Sequence, residues 1–503
     1  MLLRDRLDQW AEQRPYAPAM TFGEQSFNWA QWRERILALT GALRSSGVRP
    51  GDRLAVLDLN HLATVELTLA ASSFGAAVAV LNFRSSPDQV RYVLEDSRPV
   101  MLFHGAQFTE LAGTLVPRRV VIEDEYEKFL AGGTPVADEL AKPDDACLVM
   151  YTSGTTGRPK GAQLTHRGIT SHSVATNSVF AMSPGDGNLV AMPLFHVGGS
   201  CYALSGILAG AHTILLREAT PAALFGAIAR GAHHAFVVPA VIAGVLSAGE
   251  QAIAAFGGLR TIAYGASPMP LPMLRAALAA FPDSGLVQVY GMTELSGAVT
   301  MLTPAEHRDE SHPERLASAG RAVPGVEVRV VDPVGLTDVP PGEVGEIWIR
   351  TAQVMAGYLH RPEATAEVLG SDGWLRTGDI GRVDADGYVY ILDRLKDMII
   401  TGGENVYGPE VESVLSACPG VAECAVIGVP DEQWGEAVKA IVVAAPADAL
   451  TAAEVIAFCR ERLAHYQCPT SVEFVTDMPR NATGKVLKRA LRDPYWAGRE
   501  RAI

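Results

Sequence analysis

Short apolar runs and helix-period stretches take turns along most of this chain, and that alternation restricts its fold more than any other feature. Leu54–Leu57 and Val100–Phe103 read as strands. Trp29–Leu43 carries apolar residues at helical spacing, and Val90–Leu94 sits in a helix begun by Ser86-Pro87. The pattern resumes with Ile214–Leu216, helical Ala222–Ile228 and the run Phe236–Val238. Thr261–Tyr264, helical Leu271–Leu278 and Leu286–Tyr290 continue it. Strand, helix and strand at this spacing predict βαβ units around buried parallel sheets. After about Gly320 the style changes to short alternating strands with Gly and Pro turns, at Val326–Val331, Gly345–Arg350 and Gly387–Leu392. Beyond them, Pro409–Leu415 and Ala452–Leu463 look helical, whereas Ala425–Val429 and Val438–Val443 look like strands. The expectation is an α/β protein with a large N-terminal domain (1–393, including a small β-module at about 320–393) and a smaller C-terminal α/β domain (394–503).

Size and composition narrow the function. At ~150 residues per domain, 503 residues predict about three domains or subdomains. Hydrophobic residues at 48% and charged residues at 19% exclude a disordered chain. Lys and Arg number 42 against 56 Asp and Glu, a net charge of −14. That balance argues against sequence-independent nucleic-acid binding, which needs a basic face, but leaves room for a local nucleotide site. The six cysteines show no C-x-x-C spacing, so neither a zinc site nor a redox pair is predicted, and reduced cytosolic thiols are expected. The N-terminus MLLRDRLDQW is charged where a signal peptide is apolar, and the C-terminal RAI is no peroxisomal or lipidation signal. The longest uncharged stretch, Gly187–Leu216, contains Pro193, His196, Gly198, Gly199 and His212, and reads as core and not as a membrane span. A cytoplasmic protein without an integral membrane segment is expected; its oligomeric state is not legible.

The strongest chemical signal is Met150-Tyr151-Thr152-Ser153-Gly154-Thr155-Thr156-Gly157-Arg158-Pro159-Lys160-Gly161, a glycine- and hydroxyl-rich loop after an apolar strand. Glycines let the backbone approach phosphate oxygens, hydroxyls and amides donate to them, and Lys160 adds charge. Arg158-Pro159 separates Gly157 from Lys160, so the loop is not a Walker A motif.

This loop resembles the phosphate loop of the adenylate-forming superfamily, which includes acyl-CoA synthetases, peptide-synthetase adenylation domains and luciferases. Further motifs follow in the family's order across roughly 150–490. Tyr290-Gly291-Met292-Thr293-Glu294 resembles its nucleotide motif, and Trp374-Leu375-Arg376-Thr377-Gly378-Asp379 its ribose motif. Asp393–Ile399 resembles its hinge, centred on Lys396, and Asn481-Ala482-Thr483-Gly484-Lys485 the motif of the catalytic lysine.

Taken singly, most of these residues read as ordinary: a core tyrosine, a surface glutamate, a turn aspartate, a solvated lysine. The chemistry they would supply is nonetheless coherent. Tyr290, after a strand, offers an aromatic face to adenine. Thr293 pairs a phosphate-reaching hydroxyl with the Glu294 carboxylate, which suits Mg²⁺. Asp379 can accept both ribose hydroxyls, and Arg394 can clamp the same sugar.

The resemblance adds further roles. Gly265, Ala266 and Ser267 join Thr152, Ser153, Gly154, Thr155, Thr156, Gly157, Lys160, Tyr290 and Gly291 in binding ATP and AMP. Lys485 bridges the carboxylate and the α-phosphate, and Gly402 and Gly403 line the CoA tunnel. His196 stands where amino-acid-activating members carry an aspartate for the substrate ammonium, which implies a simple carboxylic acid. Val197, Gly198, Val238 and Gly297, together with Gly199, Cys201, Val237, Ala240 and Ile242, would line a dry acyl slot.

The implied reaction joins a small-molecule carboxylic acid, ATP and CoA to give acyl-CoA, AMP and pyrophosphate, with Mg²⁺ as the metal. The small domain turns about Lys396 between two half-reactions. A medium- or long-chain fatty acid is the expected substrate, and an aryl or alicyclic acid comes second. A stand-alone enzyme loading a carrier protein is the nearest rival; a luciferase-type oxygenase and a non-catalytic nucleotide binder are less favoured. No Arg or Lys occurs in Phe195–Tyr202 or Phe236–Leu246, which disfavours a small diacid.

Overall fold

The structure is a computed structural model that describes residues 1–137, 140–152, 158–445, 450–480 and 486–497. The chain separates into two compact units. The first comprises Met1–Val328, Ile349–Leu375 and Gly387–Val389, and the second Arg329–Trp348, Arg376–Asp386 and Tyr390–Ile503. The segments read as one β-module are thus shared out between the two.

In the first unit the expected βαβ alternation builds two sheets. One has the strand order Arg321–Ala322, Gly297–Leu302, Gly285–Met292, Thr261–Gly265, Ala232–Val237, Gly187–Val190, His212–Leu215, Pro18–Phe22, Gln25–Asn28. Its centre is parallel, and antiparallel strands close both edges. The other runs Gly357–Tyr358, Lys160–Thr165, Ala146–Thr152, Ala77–Val80, Arg53–Leu57, Met101–His104, Arg119–Val121. It too is parallel except at the Gly357–Tyr358 and Lys160–Thr165 end.

The helices with the least charge lie deepest. All of Leu62–Ser72 is buried, as is nearly all of Val197–Ala209. A helix that is apolar all round has no solvent face to offer. The single carboxylate in Leu62–Ser72, Glu66, is compensated by donors from Trp32 Nε1 (3.1 Å), Arg35 Nε (2.8 Å) and Tyr126 Oη (2.7 Å). The uncharged stretch Gly187–Leu216 is therefore strand, buried helix and strand. Among the described residues no helix is long and apolar enough to cross a membrane.

The second unit contains a sheet ordered Glu404–Val406, Ile399–Thr401, Gly435–Ala444, Val421–Asp431, with Ser471–Phe474 parallel to Gly435–Ala444. Val411, Leu415, Val455 and Cys459, from helices Gly408–Leu415 and Ala452–Arg460, join Val426, Val438 and Val442 in its core.

Candidate active site

Both anchors of the glycine-rich loop are fixed in the first unit. Strand Ala146–Thr152 leads into the loop and Lys160–Thr165 leads out, with Thr152 paired to Lys160. Ser153, Gly154, Thr155, Thr156 and Gly157 lie outside the described residues. The half-buried Lys160 ammonium stands 5.0 Å from the centroid of the Tyr358 ring. Tyr358 Oη donates to Glu294 Oε1 at 2.6 Å. Burial and the Glu294 charge push the Tyr358 phenol pKa up, so it stays a donor. Glu294 is buried within the short 3₁₀ turn Thr293–Leu295, and its carbonyl accepts from the Met355 amide at 2.8 Å. Two more cations frame the loop base. Arg158 lies 5.0 Å from the Tyr92 ring centroid, and Arg361 donates to Tyr92 Oη (3.2 Å) and Asp96 Oδ1 (2.9 Å). Tyr151 Oη donates to the other Asp96 oxygen at 2.8 Å. An acidic chain thereby gathers Arg158, Lys160 and Arg361 around one glycine-rich loop, the local basic site a polyphosphate requires.

The residues expected at adenine end two adjacent parallel strands, Thr261–Gly265 and Gly285–Met292. Ligands of open α/β sheets bind beyond the carboxyl ends of the strands. Gly265 pairs with Val289, which sets Ala266 and Ser267 beside Tyr290 and Gly291. A Cβ on Gly265 would lie 2.4 Å from the Val289 carbonyl oxygen, and one on Gly291 would lie 1.9 Å from that of Gly297. Ala266 adopts φ +63°, a left-handed conformation uncommon for a residue with a side chain.

His196 caps the buried helix Val197–Ala209; its Nδ1 accepts from the Gly198 amide at 3.1 Å. Burial lowers its pKa, which favours a neutral imidazole. Val197, Gly198 and Gly297 come together on one small cavity. Phe180, Tyr202 and Phe236 line it in two edge-to-face contacts, at 5.6 and 5.7 Å between centroids. Val238 does not border this cavity; it is half-buried before helix Pro239–Ser247, while Val237 and Ile242 pack into the core beyond. His172 completes the lining, and its buried Nδ1 has no hydrogen-bond partner among the described residues.

The remaining expected residues belong to the second unit. Gly378, at φ +70°, donates its amide to Glu346 Oε1 (3.0 Å), and Thr377 Oγ1 accepts from the Asp379 amide (3.0 Å). The Asp379 carboxylate so positioned is buried and lies 2.6 Å from Arg394 Nε. Lys396 is exposed, and its carbonyl accepts from Arg492 Nη1 at 3.1 Å. Arg492 also holds Asp397 at 2.9 Å. Burial pushes the Asp393 carboxyl up to about 6 despite Lys488 nearby. Gly402 and Gly403 form the turn of a hairpin with φ +60° and +88°, and a Cβ on Gly402 would strike the Trp434 ring at 2.7 Å. Lys485 lies outside the described residues; Arg480 and Val486 on either side of its segment are bridged.

Sequence reasoning missed Tyr358, Arg361, Asp96 and His172. Tyr358 and Arg361 meet Asp96, on helix Pro87–Ser97, or its partners only in the fold, so none of the three carries a local signal. His172 could have been found: with Thr176 and Phe180 it repeats every four residues along helix His166–Phe180, one continuous face.

Comparisons with known proteins cover both units. Residues 7–359 match the family model of the AMP-binding enzyme, and 410–485 that of the AMP-binding enzyme C-terminal domain. A feruloyl-CoA synthase from Amycolatopsis is 40% identical over 487 residues, 96% of each chain. A long-chain-fatty-acid–CoA ligase from Mycobacterium tuberculosis is 35% identical, over 90% of each chain. The o-succinylbenzoate CoA synthetase of Bacillus subtilis has been solved with its acyl-adenylate intermediate, at 30% identity and a TM-score of 0.87 over 97% of this chain and 98% of that one. It has also been solved with ATP and a magnesium ion, at 29% identity and a TM-score of 0.85 over the same shares.

Proposed function

The chain belongs to the AMP-binding, adenylate-forming enzymes and is an ATP-dependent, AMP-forming acid–CoA ligase; from that premise we propose which residues carry each half-reaction and which acid enters. The observation that supports the assignment best is the Lys160–Tyr358–Glu294 group at the base of the glycine-rich loop.

In the first half-reaction the substrate carboxylate attacks the α-phosphorus and pyrophosphate leaves. Tyr290 and Gly291, with Gly265, Ala266 and Ser267, take the adenine, and Asp379 paired with Arg394 takes the ribose hydroxyls. Residues 152–157 and Lys160 hold the β- and γ-phosphates, and Lys485 stabilises charge on the pentavalent phosphorus. Among the described residues no cluster of three or more His, Cys, Asp or Glu could hold a metal. A single buried carboxylate, Glu294, fits Mg²⁺, which is commonly bound through one or two carboxylates plus substrate phosphates. Bound there, Mg²⁺ offsets phosphate charge. In the second half-reaction the C-terminal domain turns about Lys396, Gly402 and Gly403 line the thiol path, and the CoA thiolate displaces AMP from the acyl carbonyl. Work in the cytoplasm is part of the same proposal.

For the acid, the cavity supports a compound with an aromatic end. Glycines 198 and 297 and the edges of Phe180, Tyr202 and Phe236 border a compact slot, and the feruloyl-CoA synthase is 40% identical. No lysine or arginine lines it, so a second carboxylate finds no partner there. A medium- or long-chain fatty acid is the second reading, favoured by the apolar lining and by the 35% identity to the long-chain ligase. ATP–pyrophosphate exchange over straight-chain acids from acetate to octadecanoate and over aryl acids tests the choice. Aryl acids are expected to give the highest kcat/KM, with thioester and AMP released on adding CoA. Preference for decanoate or longer acids would reverse the order of the two readings.

A further inference from the structure

We propose that His172 reads a hydroxyl on the far end of an aromatic acid substrate, making it a specificity residue of the acyl slot. The inference rests on the aromatic reading above.

An imidazole is costly at this place. His172 is 5% exposed and projects from helix His166–Phe180 into a lining that is otherwise mostly apolar. Its Nδ1 is buried without a hydrogen-bond partner among the described residues. Buried polar atoms in native proteins are nearly always satisfied, so an orphan on a ring that lines a cavity calls for a partner that arrives with a ligand. Nothing in the helix demands histidine: Thr176 and Phe180 on the same face pack without one, and a leucine would avoid the desolvation cost.

Small residues keep the neighbouring walls from crowding that imidazole. A Cβ on Gly297 would lie 2.6 Å from His172 Nε2, so any side chain there would press on the ring. Gly297 already sits at φ +127°, a conformation glycine adopts freely. Across the slot, a Cβ on Gly198 would approach the Phe236 ring at 3.0 Å. Two glycines and an aromatic edge hold the walls of the slot close together. Burial lowers the His172 pKa to about 4, so at neutral pH one ring nitrogen donates and the other accepts. A hydroxyl can meet either tautomer.

The test compares kcat/KM for adenylation of 4-hydroxycinnamate, cinnamate and decanoate by the full-length enzyme. The wild type should favour the hydroxylated acid over cinnamate by roughly ten-fold, the scale of one buried hydrogen bond plus the penalty of leaving its partner unpaired. In His172→Leu that ratio should fall to near one, and His172→Asn should restore part of it. Tyr202→Phe should leave the ratio in place. A ratio that persists in His172→Leu, or that disappears in Tyr202→Phe, overturns the assignment while aromatic acids remain the substrate class. A wild type that prefers decanoate to both cinnamates overturns the aromatic reading itself, and this inference with it. Should the leucine variant fail to fold, calorimetric binding of the two cinnamates to the wild type decides: equal affinities overturn the proposal.

Discussion

Tyr358→Phe isolates the group that links the base of the glycine-rich loop to Glu294, the carboxylate proposed to hold Mg²⁺. The substitution deletes one oxygen and leaves the ring beneath Lys160. What is lost is a 2.6 Å hydrogen bond from the phenol to Glu294 Oε1. Hydrogen bonds to charged groups are worth about 1.5–3 kcal/mol, and this one is short enough to be charge-assisted. Released from it, the Glu294 carboxylate is no longer aimed. Loss of an outer-shell partner typically costs ~10–100-fold in metal affinity or activity, the same range as those energies expressed as a rate ratio. Tyr358→Phe should therefore lower kcat/KM for MgATP in pyrophosphate exchange by ~10–100-fold and raise the magnesium concentration for half-maximal rate. Thioester formation from premade acyl-AMP should proceed as in the wild type, because no polyphosphate takes part. A thermal melt beside the kinetics separates this from general destabilisation. An unchanged magnesium dependence, or an equal loss in both half-reactions, would refute the reasoning.

Three further outcomes can be measured alongside it. Lys485→Ala should slow adenylation by about 10²–10³-fold, ~3–4 kcal/mol, yet leave thioester formation from acyl-AMP near wild type; equal loss in both halves would sink the assignment. Gly297→Ala should lower stability by about 1–3 kcal/mol, because φ +127° strains any side chain and its Cβ would press on His172; a variant as stable as the wild type in urea would show that this backbone conformation is wrong. His61, His172 and His307 are each held down to about 4 by burial, against ~6.5 in the unfolded chain. The unfolded state takes up protons first, so their contribution is whole above about pH 6.5 and is lost as pH falls toward 4, at up to ~1.4 kcal/mol per pH unit per histidine. His172→Leu should flatten that acid slope in urea titrations; parallel slopes would mean the ring is charged in the fold.

The α/β architecture was legible because it depends on local period. Gly285–Met292 and Thr261–Gly265 announce themselves as apolar runs, and Ser86-Pro87 marks the start of helix Pro87–Ser97, where Ser86 forms the expected cap. The hairpin Pro18–Phe22/Gln25–Asn28 escaped notice because its strands are short and the edge strand Gln25–Asn28 carries no apolar run. Motif residues were legible where one short segment supplies the chemistry, as in Thr377-Gly378-Asp379, whose turn is fixed by bonds among near neighbours and Glu346.

The proposed acyl slot shows where that legibility stops. Its lining draws Phe180, Val197, Phe236, Val289 and Gly297 from five separate elements, so no stretch of sequence contains it. Val237 and Phe236 are neighbours on one strand, yet alternation sends Val237 into the core and Phe236 to the slot. A list of small and apolar residues around a motif cannot make that distinction. Nor can it weigh His172, whose polarity is conspicuous only once its surroundings are known to be dry. The reaction is written in hydroxyls, carboxylates and lysines that stand out from their neighbours; the substrate is written in which side of a strand faces inward. That asymmetry explains why the sequence leads to an acid–CoA ligase while the choice among acids has to be argued from one cavity and the imidazole in its wall.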